Sequence, residues 1–298
     1  MAKPAVEIRG LSKHYEDVVA LEDLTLSIEP GCVLGYLGPN GAGKSTTLRL
    51  LMGFARPSAG SASIMGFDCQ RESVEVHRRV AYVPGESSLW PQLSGSETLE
   101  LLGQSRGALD RSARSALIER FHLDPSRKVG SYSKGNRQKL LLIAAFMAHA
   151  DVMLFDEPTD GLDPLMGDVF RACVRESVAR GAAVLLSSHV LAEVEEICDE
   201  VAILRAGSLI DRGTLAEMRH LRAIEMEIEF DGEPPELGQL AGVKVESMER
   251  SRVRLSQVGD VGPLLSVLAT ASVKQLLSHE PSLEEIFRAH YEAPPELA

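Results

Sequence analysis

The octapeptide Gly38-Pro39-Asn40-Gly41-Ala42-Gly43-Lys44-Ser45 constrains this chain more than any other stretch. It follows a short apolar run, Val33 to Leu37, and opens an amphipathic helical pattern, Lys44 to Met52. Strand, then G-x-x-x-x-G-K-[ST], then helix is the context in which the pattern works as a phosphate cradle. Glycines let successive backbone amides turn inward around phosphate oxygens, and the helix N-terminus adds partial positive charge. Lys44 should then reach the β- and γ-phosphates, and the Ser45 hydroxyl should ligate Mg²⁺. A glycine-rich turn that only caps a helix is the alternative. By itself the octapeptide points to a nucleoside triphosphate and names no process.

The surrounding chain agrees with an open α/β sheet. From Met1 to about Leu221, apolar runs alternate with helical patterns between Gly and Pro breakers, as in a parallel sheet with crossover helices. The clearest predicted strands are Val33 to Leu37, Val80 to Val83, Val152 to Phe155 and Ala183 to Ser187. Helices are predicted at Lys44 to Met52, Arg137 to His149, Leu165 to Arg180 and Leu191 to Cys198. Leu89 to Phe121 reads as mainly helical and falls between two sheet strands, which predicts an inserted subdomain. Beyond Leu221 the character changes. Ile224, Met226, Ile228 and Phe230 alternate with Glu225, Glu227 and Glu229, the period of a strand with one wet face. A turn at 231–235, further alternation at Val253 and Leu255, a helix near Pro263 to Ala269, a strand near Val273 and a helix from Ser282 to Tyr291 predict a small α+β appendage.

The run Val152-Met153-Leu154-Phe155-Asp156-Glu157 is a buried-strand pattern ending in two carboxylates. Such a strand delivers its last polar side chains to the carboxyl edge of the sheet, beside the phosphate loop, where ligands of open α/β sheets bind. Asp156 suits Mg²⁺, directly or through water. Glu157, the next residue, faces elsewhere and can polarise an attacking water as general base. Ordinary strand-end acids are the competing reading.

Composition narrows the partners. The 298 residues carry 31 Lys+Arg against 43 Asp+Glu, a net charge of −12, which does not suggest a phosphate-neutralising surface for nucleic acid. Cys32, Cys69, Cys173 and Cys198 follow no zinc-site spacing and are expected to be reduced, mostly buried thiols of a cytosolic protein. The start MAKPAVEIRG has no basic segment leading into an apolar core, so a secretory signal is not expected. The longest apolar run, Leu140 to Ala148, falls short of the roughly 20 residues that cross a bilayer. Any link to a membrane is therefore expected to come through a partner.

At Asp156-Glu157-Pro158-Thr159-Asp160-Gly161-Leu162-Asp163-Pro164 the chain resembles the ATP-binding cassettes of ABC transporters, over roughly its first 220 residues and with several motifs in the family's order. The resemblance implies an α/β P-loop cassette at 1–221: a mostly parallel core, an antiparallel β subdomain and a helical subdomain at about 87–150. It leaves 222–298 as the α+β appendage. It implies that Tyr15 stacks on adenine, and that Gly38 to Ser45, with Thr46, hold the nucleotide. Tyr132-Ser133-Lys134-Gly135-Asn136 occupies the place of the signature motif, commonly Leu-Ser-Gly-Gly-Gln. Lys134 and Asn136 depart from that form, while Ser133 and Gly135 keep the hydroxyl and amide of an anion site at a helix start. In this family the signature of one subunit closes over the ATP of the other, so a two-fold dimer with composite sites follows, with Asp163 near the partner's site. His189 matches the family histidine that contacts the γ-phosphate.

One position departs in a way that matters. Where the family usually has a Gln that reaches Mg²⁺, the run is Tyr82-Val83-Pro84-Gly85-Glu86. Either Glu86 supplies a carboxylate, or water fills the place and hydrolysis is slower. The resemblance further implies ATP and Mg²⁺ as cofactors, a permease on a separate chain, a second cassette and a place at the cytoplasmic face of the plasma membrane. Ser88-Leu89-Trp90-Pro91-Gln92-Leu93 is the candidate dock for that permease, with burial in the helical subdomain as the other account. The appendage, ending in Pro281-Ser282-Leu283-Glu284-Glu285-Ile286-Phe287, looks like the tail of antibiotic and drug exporters. Soluble cassettes acting on ribosomes or DNA, and a nucleotide-gated module that no longer hydrolyses, are the competing classes.

Overall fold

The computed structural model describes residues 3–86, 89–104, 111–188, 190–220 and 224–279. A hairpin of β1 (Val6–Tyr15) and β2 (Val18–Ile28) leads into β3 (Val33–Leu37) and α1 (Lys44–Leu51). Then come β4 (Ala59–Ile64), β5 (Phe67–Asp68), α2 (Ser73–Arg79) and β6 (Val80–Val83). Three helices follow, α3 (Gly95–Gln104), α4 (Arg111–Arg120) and α5 (Lys134–Phe146), with a 3-10 turn at Val129–Ser131 before the last. The chain returns to the sheet with β7 (Val152–Asp156), α6 (Pro164–Ala179), β8 (Ala183–Ser188), α7 (Leu191–Ile197), β9 (Glu200–Arg205) and β10 (Ser208–Thr214). Last are α8 (Leu215–His220), β11 (Ile224–Phe230), β12 (Val243–Glu249), β13 (Arg252–Gln257), α9 (Gly262–Leu268) and β14 (Val273–His279).

These elements make two compact units, Met1–Arg212 and Gly213–Ala298. In the first, a six-stranded sheet runs β10-β9-β3-β8-β7-β6, and β9, β3, β8, β7 and β6 pair in parallel. Strands β3, β7 and β8 are buried along their whole length, which is why they read as unbroken apolar runs rather than alternating ones. A second, antiparallel sheet, β2-β1-β4-β5, lies in the same unit. The expected helical insertion is present: α3 and α4 both contact α5.

An aromatic cluster packs β7 against α5 and α6. Phe155 on β7 meets Phe170 of α6 edge-on at 5.3 Å, and both touch Phe146 at the end of α5, which stacks on Phe121. Aromatic pairs of this kind contribute about 0.5–1.5 kcal/mol each beyond their burial. On the surface, Arg120 donates two 2.9 Å hydrogen bonds to the Glu176 carboxylate and so ties α4 to α6.

Helix α5 begins at Lys134, three residues ahead of the sequence expectation. Ser133 is its N-cap and its Oγ accepts from Asn136 N at 3.2 Å, satisfying a first-turn amide that apolar spacing does not reveal. The second unit is a four-stranded antiparallel sheet, β12-β13-β11-β14. Its core gathers Met226, Ile228 and Phe230 of β11, Val253 and Leu255 of β13, and Leu264 of α9. Glu227 and Glu229 of β11 instead pair with Arg252, Arg254 and Lys274 on the wet face. The helix expected from Ser282 and the tail after Pro281 lie outside the described residues. All four cysteines are free, and all but half-buried Cys32 are buried; burial pushes the Cys32 thiol up to about 11 and that of Cys69 to about 12. No helix among the described residues is long and apolar enough to cross a membrane.

Candidate functional site

The turn after β3 is shaped by close backbone approach. Gly43, the N-cap of α1, has φ 108°, and a Cβ there would come within 2.7 Å of both Ala20 O and the Leu21 side chain on β2. Only glycine fits, because the conformation is left-handed and the neighbour is fixed backbone. Inside this turn Lys44 is 5% exposed. Its Nζ donates to Gly38 O at 2.5 Å and to Pro39 O at 3.3 Å, and lies 3.7 Å from Glu157 Oε1. Thr47, one turn on, donates from Oγ1 to Gly43 O at 3.1 Å and shares a 2.9 Å hydrogen bond with the buried Tyr36 hydroxyl, anchoring α1 on β3. Pro39, Asn40 and Gly41 form the exposed rim of the loop, Gly38 and Ala42 are buried beneath it, and Ser45 and Thr46 are half-buried in the first turn of α1.

Across the sheet edge, β7 delivers its acids. Asp156 is 5% exposed and its Oδ1 accepts from Ser187 Oγ at 2.7 Å. Ser187 stands opposite Asp156 in the β7–β8 register. It also receives the backbone of the next residue: Glu157 N donates to Ser187 O at 3.1 Å and to Ser187 Oγ at 3.2 Å. Glu157 has φ 50°, a left-handed conformation uncommon outside glycine. This turn breaks the strand alternation and aims the second carboxylate at Lys44. Sequence reasoning missed Ser187; its only trace is a hydroxyl at the end of a buried strand.

Position 85 faces the same acid. A Cβ at Gly85 would stand 3.6 Å from the Asp156 carboxyl carbon and 3.7 Å from its Oδ2, ordinary contact distances, and Gly85 is outside the left-handed region. Glu86, the alternative ligand considered from sequence, is exposed. Burial, reinforced by the Asp156 charge, pushes the neighbouring Tyr82 hydroxyl up to about 12, so it stays protonated at working pH. His189 lies outside the described residues, as does Ser88 of the candidate dock. Within that dock Trp90 is 43% exposed.

The remaining sequence-identified residues lie on other elements. Ser133 is exposed at the start of α5, and Gly135 follows it against Gly161. Asp163, also exposed, is the N-cap of α6, its Oδ1 accepting from Met166 N at 3.0 Å. Tyr15 closes β1 opposite Val18, 42% exposed, with Lys13 Nζ 4.5 Å above its ring.

A strand, a glycine-bracketed turn with a buried lysine, and a strand-end acid pair two strands away in the same parallel sheet define a P-loop nucleotide-binding fold. The family model described as ABC transporter matches residues 21–160. Among curated relatives, the ABC transporter ATP-binding protein NatA of Bacillus subtilis (strain 168) is 36% identical over 224 residues, 72% of this chain and 91% of that protein. The daunorubicin resistance ATP-binding protein DrrA3 of Streptomyces coeruleorubidus is 33% identical over 302 residues, 96% of each. Among solved structures, the ATP-binding subunit of an ABC transporter superposes with a TM-score of 0.68 at 33% identity, covering 72% of this chain and 92% of that one. The chain belongs to the ABC transporter family, as an ATP-binding and ATP-hydrolysing subunit.

Proposed function

We propose that two copies of this chain close around two molecules of Mg-ATP and drive a permease carried on a separate polypeptide at the cytoplasmic face of the plasma membrane, exporting a drug, antibiotic or lipid-like compound. The observation that carries the reading is the convergence of Lys44, Asp156 and Glu157 on one sheet edge while Ser133 stands exposed at another helix start. The relative named for daunorubicin resistance supports the export direction, and its match over 96% of each chain takes in the C-terminal unit as well.

Each residue has a part. Lys44 holds the β- and γ-phosphate oxygens, exchanging its carbonyl partners for charged ones, and the backbone of Gly38 to Gly43, with Thr46, lines the phosphates. Tyr15 offers its exposed ring to the adenine. The hydroxyl of Ser45 and the carboxylate of Asp156 are hard oxygen donors of the kind Mg²⁺ selects, and the bound ion would neutralise phosphate charge. Ser187 keeps one Asp156 oxygen engaged and so fixes the direction of the other. Glu157 accepts the proton of the attacking water, and His189 orients that water. Ser133 and Gly135 close over the partner's nucleotide, with Asp163 at the seam. Trp90 is the docking anchor for the permease. Loss of the γ-phosphate releases the clamp, and the opening is the mechanical output.

Complementation tests the composite site. Lys44→Met and Ser133→Glu chains should each lack ATPase activity alone, whereas their mixture should regain part of it, because one intact cradle then meets one intact signature. No recovery on mixing, from proteins that remain folded, would place each nucleotide within a single copy.

The metal shell gives a second expectation. Gly85→Gln places an amide against Asp156 without backbone strain, so it should lower the Mg²⁺ concentration for half-maximal phosphate release severalfold. Glu86, which is exposed, is the competing donor; a Glu86→Ala chain with a shifted Mg²⁺ dependence would assign the ligand to Glu86 instead.

A further inference from the structure

Position 134 is one of the positions at which the signature segment leaves the family's commonest form, and the structure gives its side chain a partner. Lys134 Nζ stands 2.5 Å from Asp160 Oδ2, on the loop that leaves Glu157. Two further contacts stiffen the junction. A Cβ at Gly135 would meet Gly161 O at 2.5 Å, so the two backbones touch there. One turn along α5, the buried Gln138 donates from Nε2 to Pro158 O at 2.8 Å. Asp160 N in turn donates to Glu157 O at 3.2 Å. The first turn of α5 is thus packed on the four residues that directly follow the base.

We infer that this junction couples the two ATP sites: Lys134 and Asp160 pin the signature segment to the loop of Glu157, so that engagement of Ser133 by the partner's nucleotide is felt at Glu157 of the same chain. The inference rests on the composite-site reading above. In such a dimer Ser133 serves the partner's ATP and Glu157 its own, and the junction joins them within one polypeptide. Lys134 and Asp160 act as positioning residues. Their side chains are 61% and 46% exposed, so the pair adds little to folding stability and its loss should register in coupling instead. The close approach of Gly135 and Gly161 makes the link stiff enough to transmit a displacement, since packed backbones move together.

Steady-state ATPase of the purified full chain against ATP concentration provides the test. The unaltered chain should give a Hill coefficient above 1. Lys134→Ala and Asp160→Ala should each bring it toward 1 and lower kcat by about two- to fivefold, the range of an exposed ion pair, with KM and Tm nearly unchanged. The charge exchange Lys134→Asp with Asp160→Lys should restore both quantities. ATP-driven dimerisation of the same variants in a Glu157→Gln background, followed by sedimentation, separates the two levels of the claim. Variants that dimerise and keep full cooperativity and kcat overturn the coupling and leave the composite site standing. A defect that the exchange does not repair, or a Hill coefficient of 1 in the unaltered chain, also overturns it. Chains that stay monomeric at saturating ATP overturn the composite site and the coupling together.

Discussion

Glu157→Gln is expected to slow ATP hydrolysis by about a hundredfold to ten-thousandfold, the span that a positioned general base contributes, while ATP remains bound. Glutamine has the size and shape of glutamate, so the turn should survive. Its backbone is set independently of the side chain, by φ 50° and by the two hydrogen bonds that Glu157 N makes to Ser187. What is lost is proton acceptance and the negative charge 3.7 Å from Lys44 Nζ. Removing that charge relieves Lys44 of a competitor for phosphate, so affinity for ATP should hold or rise. Single-turnover phosphate release together with retention of labelled ATP on the protein would read both effects. Hydrolysis at the unaltered rate would strip Glu157 of its role as base.

Lys44→Met should produce the second large effect, lowering kcat/KM by roughly a hundredfold to a thousandfold, as loss of one charge-stabilising donor does in a buried site. Methionine matches the lysine stem, so the packing of the 5% exposed side chain is largely kept. The ammonium, and with it the charge-assisted hydrogen bonds to phosphate, disappears. Binding should weaken as well, since the charged head engages both ground and transition states. Equilibrium dialysis with ATP, alongside the thermal midpoint of the variant, separates lost affinity from lost fold. An unchanged dissociation constant would mean that the backbone amides carry the phosphates alone.

The two predictions draw on residues of unequal legibility. Lys44 and the strand-end acids were plain in the sequence because each sits at a fixed offset in a local pattern: a loop of defined spacing after an apolar run, and a buried strand ending in charge. The alternation of β11 was equally plain, one face wet and the other in a core. The β1–β2 hairpin was not legible from its residues. Its register shifts three times, between Ile8 and Leu11, Leu11 and Lys13, and Lys13 and His14, and each irregularity breaks the two-residue period on which strand recognition depends. Strand β12 escaped for a different reason: most of its residues are exposed, and only Val243 and Val245 pack against the core, too short an alternation to mark a strand.

The amino-acid sequence alone determined that the chain carries the loop pattern of a phosphate cradle, where that pattern lies, and which acids close the buried run from Val152. Short-range geometry suffices for that, because a glycine loop and a strand terminus orient their own groups. The tertiary structure alone decided that Ser187 would hold Asp156, that Ala20 would exclude any side chain at residue 43, that residue 85 would stand beside Asp156, and that Lys134 would find Asp160. These partners are separated by 23 to 71 positions along the chain, and their meeting depends on the strand order β3-β8-β7-β6 and on the docking of α5 against the 158–161 loop. No local period encodes a contact of that kind; it exists only once the buried strands have paired and excluded water.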